Sequence, residues 1–401
     1  MFASLCILGR QPAIGLAELE SLYGSEAVHP IGSNAALLDK VSSEVAFAYL
    51  GGTVKFCKIL TELDSIKWTD IQKFLTQAVP QHAALLPAGK LRLGLSVYDL
   101  KVDPRQITGT GLELKKVLKK DGRAARIVPN NETALNSAQI LHNQLTAELG
   151  WELIFVRNGT RTVVAQTVAV QDIEAYARRD QERPKRDARV GMLPPKLAQI
   201  IVNLATATAL DPACEPNKPI DKAILDPFCG TGVVLQEAIL IGYQALGTDL
   251  DPRMVEYSQV NLDWLSKYYQ LQTTNYKLEA GDATTHQWKD KFDAVASEAY
   301  LGRPFTSPPG GQILQQTIAD VNIITKKFLQ NLATQTKPGF RLCLALPAWK
   351  KYNGFNHLPL LDHLTDMGYN RVSFVHSARE DLLYHREGQI VGRELVTLIR
   401  K

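Results

Sequence analysis

Along this chain, short apolar runs with strand-like spacing alternate with longer runs in which apolar residues recur every three or four positions. From Lys196 onward the alternation is regular. The spacing predicts helices over 196–206, 233–241, 252–268 and 311–334, and strands over 222–226, 243–248, 276–280, 292–297 and 340–346. Strands separated by helices imply a parallel sheet with right-handed crossovers. Two late strands, 371–376 and 394–400, have no full helix between them and are expected to pair as an antiparallel hairpin at the sheet edge. The first half is also α/β but less regular. A strand at Ser4–Leu8 leads into a helix over Gly15–Leu22, and apolar segments follow at Ala35–Leu38 and Phe56–Ile59. Helices are then predicted over Trp68–Ala78, Gly111–Lys120 and Thr133–Leu149, with strands at Lys90–Val97 and Ala125–Val128. Glu152–Arg157 and Thr162–Ala169 read as a hairpin about Asn158-Gly159, a strong turn dipeptide. Residues 176–195 have no apolar period and are rich in Arg, Asp and Pro, which marks a boundary. The predicted organisation is a first unit over 1–60, a second over 61–172, a linker over 173–192 and a C-terminal domain over 193–401.

Composition narrows the class only a little. The 401 residues are 45% hydrophobic and 21% charged, the make-up of an ordinary globular chain large enough for two or three cores. No apolar run approaches the roughly 18–20 residues of a membrane span, and no basic stretch precedes the short apolar N-terminus as a signal peptide requires. The five cysteines (Cys6, Cys57, Cys214, Cys229, Cys343) are scattered and odd in number, with no Cys-x-x-Cys. Neither a metal site nor a disulfide framework is expected, and a reducing cytoplasm is the default setting.

The net charge of +4 says less than its distribution. The stretch from Lys115 to Arg126 carries six basic residues and one acid: Lys115, Lys116, Lys119, Lys120, Arg123 and Arg126 against Asp121. The stretch from Arg178 to Arg189 carries six basic residues, Arg183, Lys185 and Arg186 among them, and three acids. Either run can be a solvated face. Two of them together suggest a track for nucleic-acid phosphates.

The chemistry concentrates at Asp226-Pro227-Phe228-Cys229-Gly230-Thr231-Gly232, between a predicted strand and a predicted helix. Gly230 and Gly232 permit positive φ and close approach of a ligand to the main chain. The helix N-terminus behind them favours an anionic group. A dinucleotide fingerprint would need a third glycine where Leu235 stands, and a P-loop would need a Lys after Gly232. At the next strand end, Asp249 lies 23 residues beyond Asp226 and is placed to accept ribose hydroxyls. Asp251 is the better cap for the helix after it. Asp282 closes the third strand.

The motif Asp-x-Phe-x-Gly-x-Gly resembles motif I of class I S-adenosylmethionine (SAM) methyltransferases, and Leu278–Ala283 resembles their motif III. The order of further segments narrows this: Phe2–Leu8 with Leu16-Ala17-Glu18-Leu19, the linker Arg178–Arg186, Leu193-Pro194-Pro195-Lys196-Leu197-Ala198, then Asp226–Gly232. The whole resembles the THUMP-containing tRNA methylases that make N2-methylguanosine at position 10. The resemblance implies a ferredoxin-like region and a THUMP domain that grips tRNA. These precede a Rossmann-like SAM domain with a seven-stranded sheet, α/β throughout. SAM would contact Asp226, Pro227, Phe228, Gly230, Gly232, Asp249 and Asp282, with Pro195 opening a helix over its methionine part. Some relatives need a small activating partner protein; the residues do not decide whether this chain does.

The resemblance breaks at one place. Amino-methylating enzymes of this kind carry Asp/Asn-Pro-Pro-Tyr after the fourth strand, because a base-conjugated amine is a poor nucleophile that must be held and oriented. Here the strand ends Ser297-Glu298-Ala299-Tyr300-Leu301-Gly302. Counting along the strand puts Glu298 at the acceptor position; counting back from Tyr300 as the aromatic puts Ser297 there. Glu298 keeps a carboxylate in place, with Tyr300 near the base and Gly302 expected to keep the loop adaptable. Phe305, Trp349 and Tyr384–Gln389 are further candidates for the base pocket. The expectation is methyl transfer to an exocyclic amine, most simply N2 of a tRNA guanosine. The alternatives are a DNA amino-methyltransferase or an inactive RNA-binding protein that keeps the SAM fold.

Overall fold

The structure, a computed structural model, describes residues 2–187, 192–209, 220–271, 275–305 and 307–401. It divides into two compact units. One comprises Met1–Leu16, Tyr23–Ala48 and Thr53–Ile173; the other comprises Ala17–Leu22, Tyr49–Gly52 and Glu174–Lys401.

In the first unit, strands β1 (Ser4–Leu8), β2 (Val28–Ile31), β3 (Ala35–Leu38), β4 (Thr53–Leu63), β5 (Leu91–Tyr98), β6 (Ala125–Ile127), β7 (Gly150–Asn158) and β8 (Arg161–Val170) form one sheet. Their order is β2-β3-β1-β4-β8-β7-β5-β6. The longer helices that begin in this part of the chain are α1 (Pro12–Tyr23), α2 (Trp68–Ala83) and α3 (Pro104–Lys120). Ile71, Leu75, Leu114 and Leu118 of α2 and α3 bury an apolar face against Leu93, Leu95 and Phe155 of the sheet. β7 and β8 pair antiparallel about Asn158-Gly159, with Gly159 at φ 61°, the left-handed geometry such a turn demands. The helix predicted over Thr133–Leu149 is reduced to α4, Ser137–His142. Asn136 caps it from one side, and Gln144 at φ 50° turns the chain away on the other. The Ser96 hydroxyl also accepts the Leu135 N–H, at 2.9 Å, before the helix begins. Leu135, Ile140 and Leu145 are buried together all the same, so their spacing reports a shared core and not one continuous helix.

In the second unit, α5 (Ile173–Gln181) and α6 (Pro195–Thr206) precede an alternating series. That series is β9 (Ala223–Asp226), α7 (Val233–Ile241), β10 (Gln244–Asp249), α8 (Pro252–Tyr269), β11 (Tyr276–Ala280), β12 (Ala294–Glu298), α9 (Gly311–Gln335) and β13 (Arg341–Lys350). Short strands β14 (Phe355–Asn356), β15 (Tyr369–Arg371) and β16 (Leu383–Tyr384) then lead to the long β17 (Val391–Arg400). The main sheet runs β11-β10-β9-β12-β13-β17-β15, with β14 beside β13 and β16 beside β17. β9 to β13 are parallel, and β17 is antiparallel to β13 and to β15. The strand expected over 371–376 is instead Tyr369–Arg371, which pairs with β17 at the sheet edge, while β16 intervenes in sequence and also pairs with β17. Strand order reverses about β9, so the carboxyl ends of β9, β10 and β12 open onto a crevice, the usual ligand position in such sheets. Phe328, Leu332, Leu344, Trp349 and Tyr369 fill the core on the α9 side.

The segment expected to be a linker is built into this unit. Arg179 is buried against Glu237, Nε to Oε1 at 2.7 Å and Nη2 to Oε2 at 3.1 Å. Asn261 of α8 accepts the Lys185 N–H and donates to the Lys185 carbonyl, both at 2.9 Å. A charge run with nonlocal partners has no apolar period, which is why it resembles a linker in sequence.

Candidate active site

The glycine turn lies where β9 ends. Gly230 and Gly232 have φ of 51° and 82°, and Gly232 stands at the N-cap of α7. A Cβ on Gly232 would meet the Ser258 side chain at 3.0–3.3 Å, whereas one on Gly230 would find only the Phe228 carbonyl, 4.0 Å away. One glycine is required by packing; the other leaves an open cradle. The turn is held from α8: the Ser258 hydroxyl donates to the Gly230 carbonyl at 2.8 Å, and the Asn261 amide donates to the Thr231 carbonyl at 2.9 Å.

A cavity of about 920 Å³ opens above it. Asp226, Pro227, Phe228, Gly230, Asp249, Asp282, Glu298 and Tyr300 all line it, so residues spread over 75 positions converge. Asp249 accepts the Gly230 N–H and the Asp251 N–H, each at 2.9 Å, which fixes its carboxylate; burial raises its pKa. Asp251 caps α8 through the Arg253 N–H, leaving Asp249 free of that duty. Asp282 accepts from the Thr284 N–H and hydroxyl at 2.9 and 2.7 Å. Asp226 is fully buried, and that burial pushes its pKa up to about 7. It accepts from the Ser297 hydroxyl at 2.5 Å and the Phe228 N–H at 3.2 Å.

At the end of β12, Glu298 lines the cavity and is paired with Arg393 of β17. Burial raises its pKa, and the Arg393 guanidinium opposes the rise. Tyr300 is exposed beside it. Gly302 does not make this loop adaptable. It has φ 85°, and a Cβ there would come within 2.7 Å of Thr317 and 3.3 Å of Val321, so it locks the loop onto α9.

Several predicted site residues stand elsewhere. Ser297 is fully buried and its hydroxyl is committed to Asp226; alternation along β12 turns it away from the cavity that Glu298 faces. Pro195 is buried at the start of α6 and does not line the cavity; Leu193 does. Phe305, Trp349 and Tyr384–Gln389 do not line it either, and Trp349 is a core residue. Of the second basic run, Arg183 is only 2% exposed and cannot reach an outside phosphate. Lys185 lies over the Tyr257 ring at 5.0 Å, Arg186 is exposed, and Arg189 lies outside the described residues. In the first unit Lys115, Lys116, Lys119, Lys120 and Arg126 are exposed, whereas Arg123 is partly buried and donates to the Leu86 carbonyl. Sequence reasoning missed Leu250, which lines the cavity while 73% exposed, and the α9 residues Ile323, Ile324 and Lys327. Leu250 follows Asp249 directly, and an apolar residue after a strand-end acid was the available signal.

Residues 220–384 match a family model described as a methyltransferase domain. Two curated relatives named tRNA (guanine(10)-N2)-dimethyltransferase are similar in sequence. The Methanothermobacter thermautotrophicus protein is 30% identical over 203 residues, 50% of this chain and 52% of its own. The Pyrococcus abyssi protein is 33% identical over 156 residues, 39% of each chain. The chain thus spans about half the length, or less, of the curated relatives it matches. Among solved structures, TrmN from Thermus thermophilus covers both chains completely at a TM-score of 0.50 and 15% identity, a likeness of fold. Strand order, glycine turn and the match over residues 220–384 agree: the second unit has the class I methyltransferase fold.

Proposed function

We propose that this chain is a SAM-dependent RNA methyltransferase acting on an exocyclic amine, N2 of a guanosine in tRNA. The observation that carries the reading is a single cavity joining the glycine turn to the Glu298-Ala299-Tyr300 loop. The open cradle at Gly230, the fixed Asp249 carboxylate and the apolar wall of Leu250 suit a nucleoside bearing an amino-acid tail. Bound SAM supplies an electrophilic methyl group. The chain's own residues act on the acceptor. Asp249 would hold the ribose of SAM, and Asp282 would receive its adenine amino group. The Glu298 carboxylate accepts a hydrogen bond from the target amine, directs its lone pair and takes up its proton, and Tyr300 stacks on the base. Arg393 favours the ionised form of Glu298 that this task needs. Ser297 acts through Asp226.

The same reading assigns tRNA binding to the first unit, with residues 1–60 ferredoxin-like, 61–172 THUMP-like, and the exposed lysines of α3 on tRNA phosphates. It places the protein in the cytoplasm; among the described residues no helix is long and apolar enough to cross a membrane. The names of the relatives support tRNA as substrate. The test is purified protein with labelled SAM and unmodified tRNA, followed by nucleoside mass spectrometry. N2-methylated guanosine is expected. No methylated nucleoside, with SAM binding confirmed by calorimetry, refutes the enzyme reading, and methylation of duplex DNA in place of tRNA refutes the substrate.

A further inference from the structure

β13 runs parallel to β12, with Glu298 opposite Ala345, so the last residues of β13 emerge at the sheet edge that carries the cavity. Trp349 packs against the cavity loop: a Cβ on Gly302 would lie 3.8 Å from its ring. Immediately beyond, Lys350 and Lys351 are exposed, and Tyr352 stands fully in solvent at 101%. The turn is closed by the Lys351 N–H on the Gly354 carbonyl at 3.0 Å, with Gly354 at φ 91°. It leads into β14, whose Phe355 ring meets His385 at 5.0 Å. The neighbouring Tyr384 carries Arg386, which donates to the Tyr384 hydroxyl at 2.9 Å and lies 5.7 Å from its ring.

This segment therefore carries two exposed lysines and a fully exposed tyrosine, next to an exposed arginine that covers the half-buried Tyr384 ring. Among the described residues no carboxylate forms a salt bridge with Lys350, Lys351 or Arg386; Glu387 is the acid nearest Arg386 in sequence, and Asp362 the acid nearest the lysines. A tyrosine exposed to this degree gains nothing from the fold. Cations interleaved with free aromatic faces are what a single polynucleotide strand recognises, its phosphates meeting the cations and its bases the rings.

We propose that Lys350, Lys351, Tyr352 and Arg386 bind the RNA strand flanking the target nucleotide, Tyr352 by stacking on an adjacent base and the cations through its phosphates. This rests on the proposed polynucleotide substrate. It adds a contact on the catalytic unit itself, separate from the α3 lysines.

The test compares the full chain with Tyr352→Ala and with the double variant Lys350→Ala/Lys351→Ala. Tyr352→Ala is expected to raise KM for tRNA about tenfold, the loss of one base stack, with kcat, SAH affinity by calorimetry and melting temperature unchanged. The double variant is expected to lower the slope of log tRNA affinity against log salt by about 1.4, the share of two single-strand phosphate contacts. Unchanged KM and unchanged salt slope in variants that still bind SAH would overturn the inference, while wild-type methylation would leave the proposed function standing. If the wild type yields no methylated nucleoside, the proposed function fails, and the salt slope of tRNA binding still decides the surface.

Discussion

Replacing Asp226 with asparagine is expected to stabilise this protein at neutral and alkaline pH and to leave it almost unchanged in acid. The carboxyl is 1% exposed, and burial, with smaller contributions from the nearby Asp249 and Glu298 charges, takes its pKa from 3.8 to about 7. Two donors, the Ser297 hydroxyl and the Phe228 N–H, only partly offset that. In the unfolded chain the group ionises near 3.8; in the folded protein it keeps its proton to about 7. Between those values the folded state binds more protons, so this group's contribution to stability falls as pH rises and is constant above pH 7. A shift of about three units corresponds to roughly 4 kcal/mol. Asparagine keeps an oxygen for both donors and never ionises. Urea unfolding of both proteins from pH 4 to 8.5 checks this. The variant-minus-wild-type stability should be near zero at pH 4 and climb by about 4 kcal/mol above pH 7. A difference that does not change with pH, or a variant destabilised throughout, would refute the reasoning.

Arg393→Met should cost about 3–5 kcal/mol in denaturant unfolding, because it strands the Glu298 carboxylate in a buried site. Leu250→Ser should weaken SAH affinity about tenfold by calorimetry without lowering the melting temperature, since the lost apolar contact forms only with ligand. Gly232→Ala should cost about 1–2 kcal/mol from its left-handed backbone alone, more as Ser258 is displaced, and a thermal melt reads it. Changing Lys115, Lys116, Lys119 and Lys120 to Gln should lower the salt slope of tRNA binding by up to about 3.6 while SAH affinity holds.

The elements of the second unit were legible because each is specified locally. The runs before Asp226 and Asp249 are short, apolar and closed by an acid, and the helices after them keep a regular period. Converging strand ends then follow from parallel topology alone. What stayed hidden depends on partners distant in sequence. Arg179 and Arg183 look like surface cations until Glu237 and α8 are packed against them. Leu135, Ile140 and Leu145 share a core across a chain reversal at Gln144 that spacing cannot reveal. The choice between Ser297 and Glu298 turned on which face of β12 meets the cavity, and adjacent strand residues face opposite sides whichever way one counts. The Arg393 partner, 95 residues on from Glu298, has no local signature at all.

The second unit includes Ala17–Leu22 and Tyr49–Gly52 as well as everything after residue 173. Glu18, buried with its pKa raised to about 7, accepts the Gly51 and Gly52 N–H groups at 2.9 and 2.8 Å and the Asn203 amide at 2.7 Å. Ser21 accepts from Arg341 at 3.0 Å, and Glu20 accepts the Val375 N–H at 2.7 Å. The second unit is thus discontinuous in sequence, and no single cut releases it whole. A fragment starting at residue 174 would lose Glu18 and the Tyr49 carbonyl as acceptors for Asn203, Ser21 as one of the two acceptors for Arg341, and Glu20 as the acceptor for the 375–376 backbone. Its failure to fold would say nothing about whether the site can work without the first unit. A fair separation would have to carry the 17–22 and 49–52 segments along, for example by circular permutation.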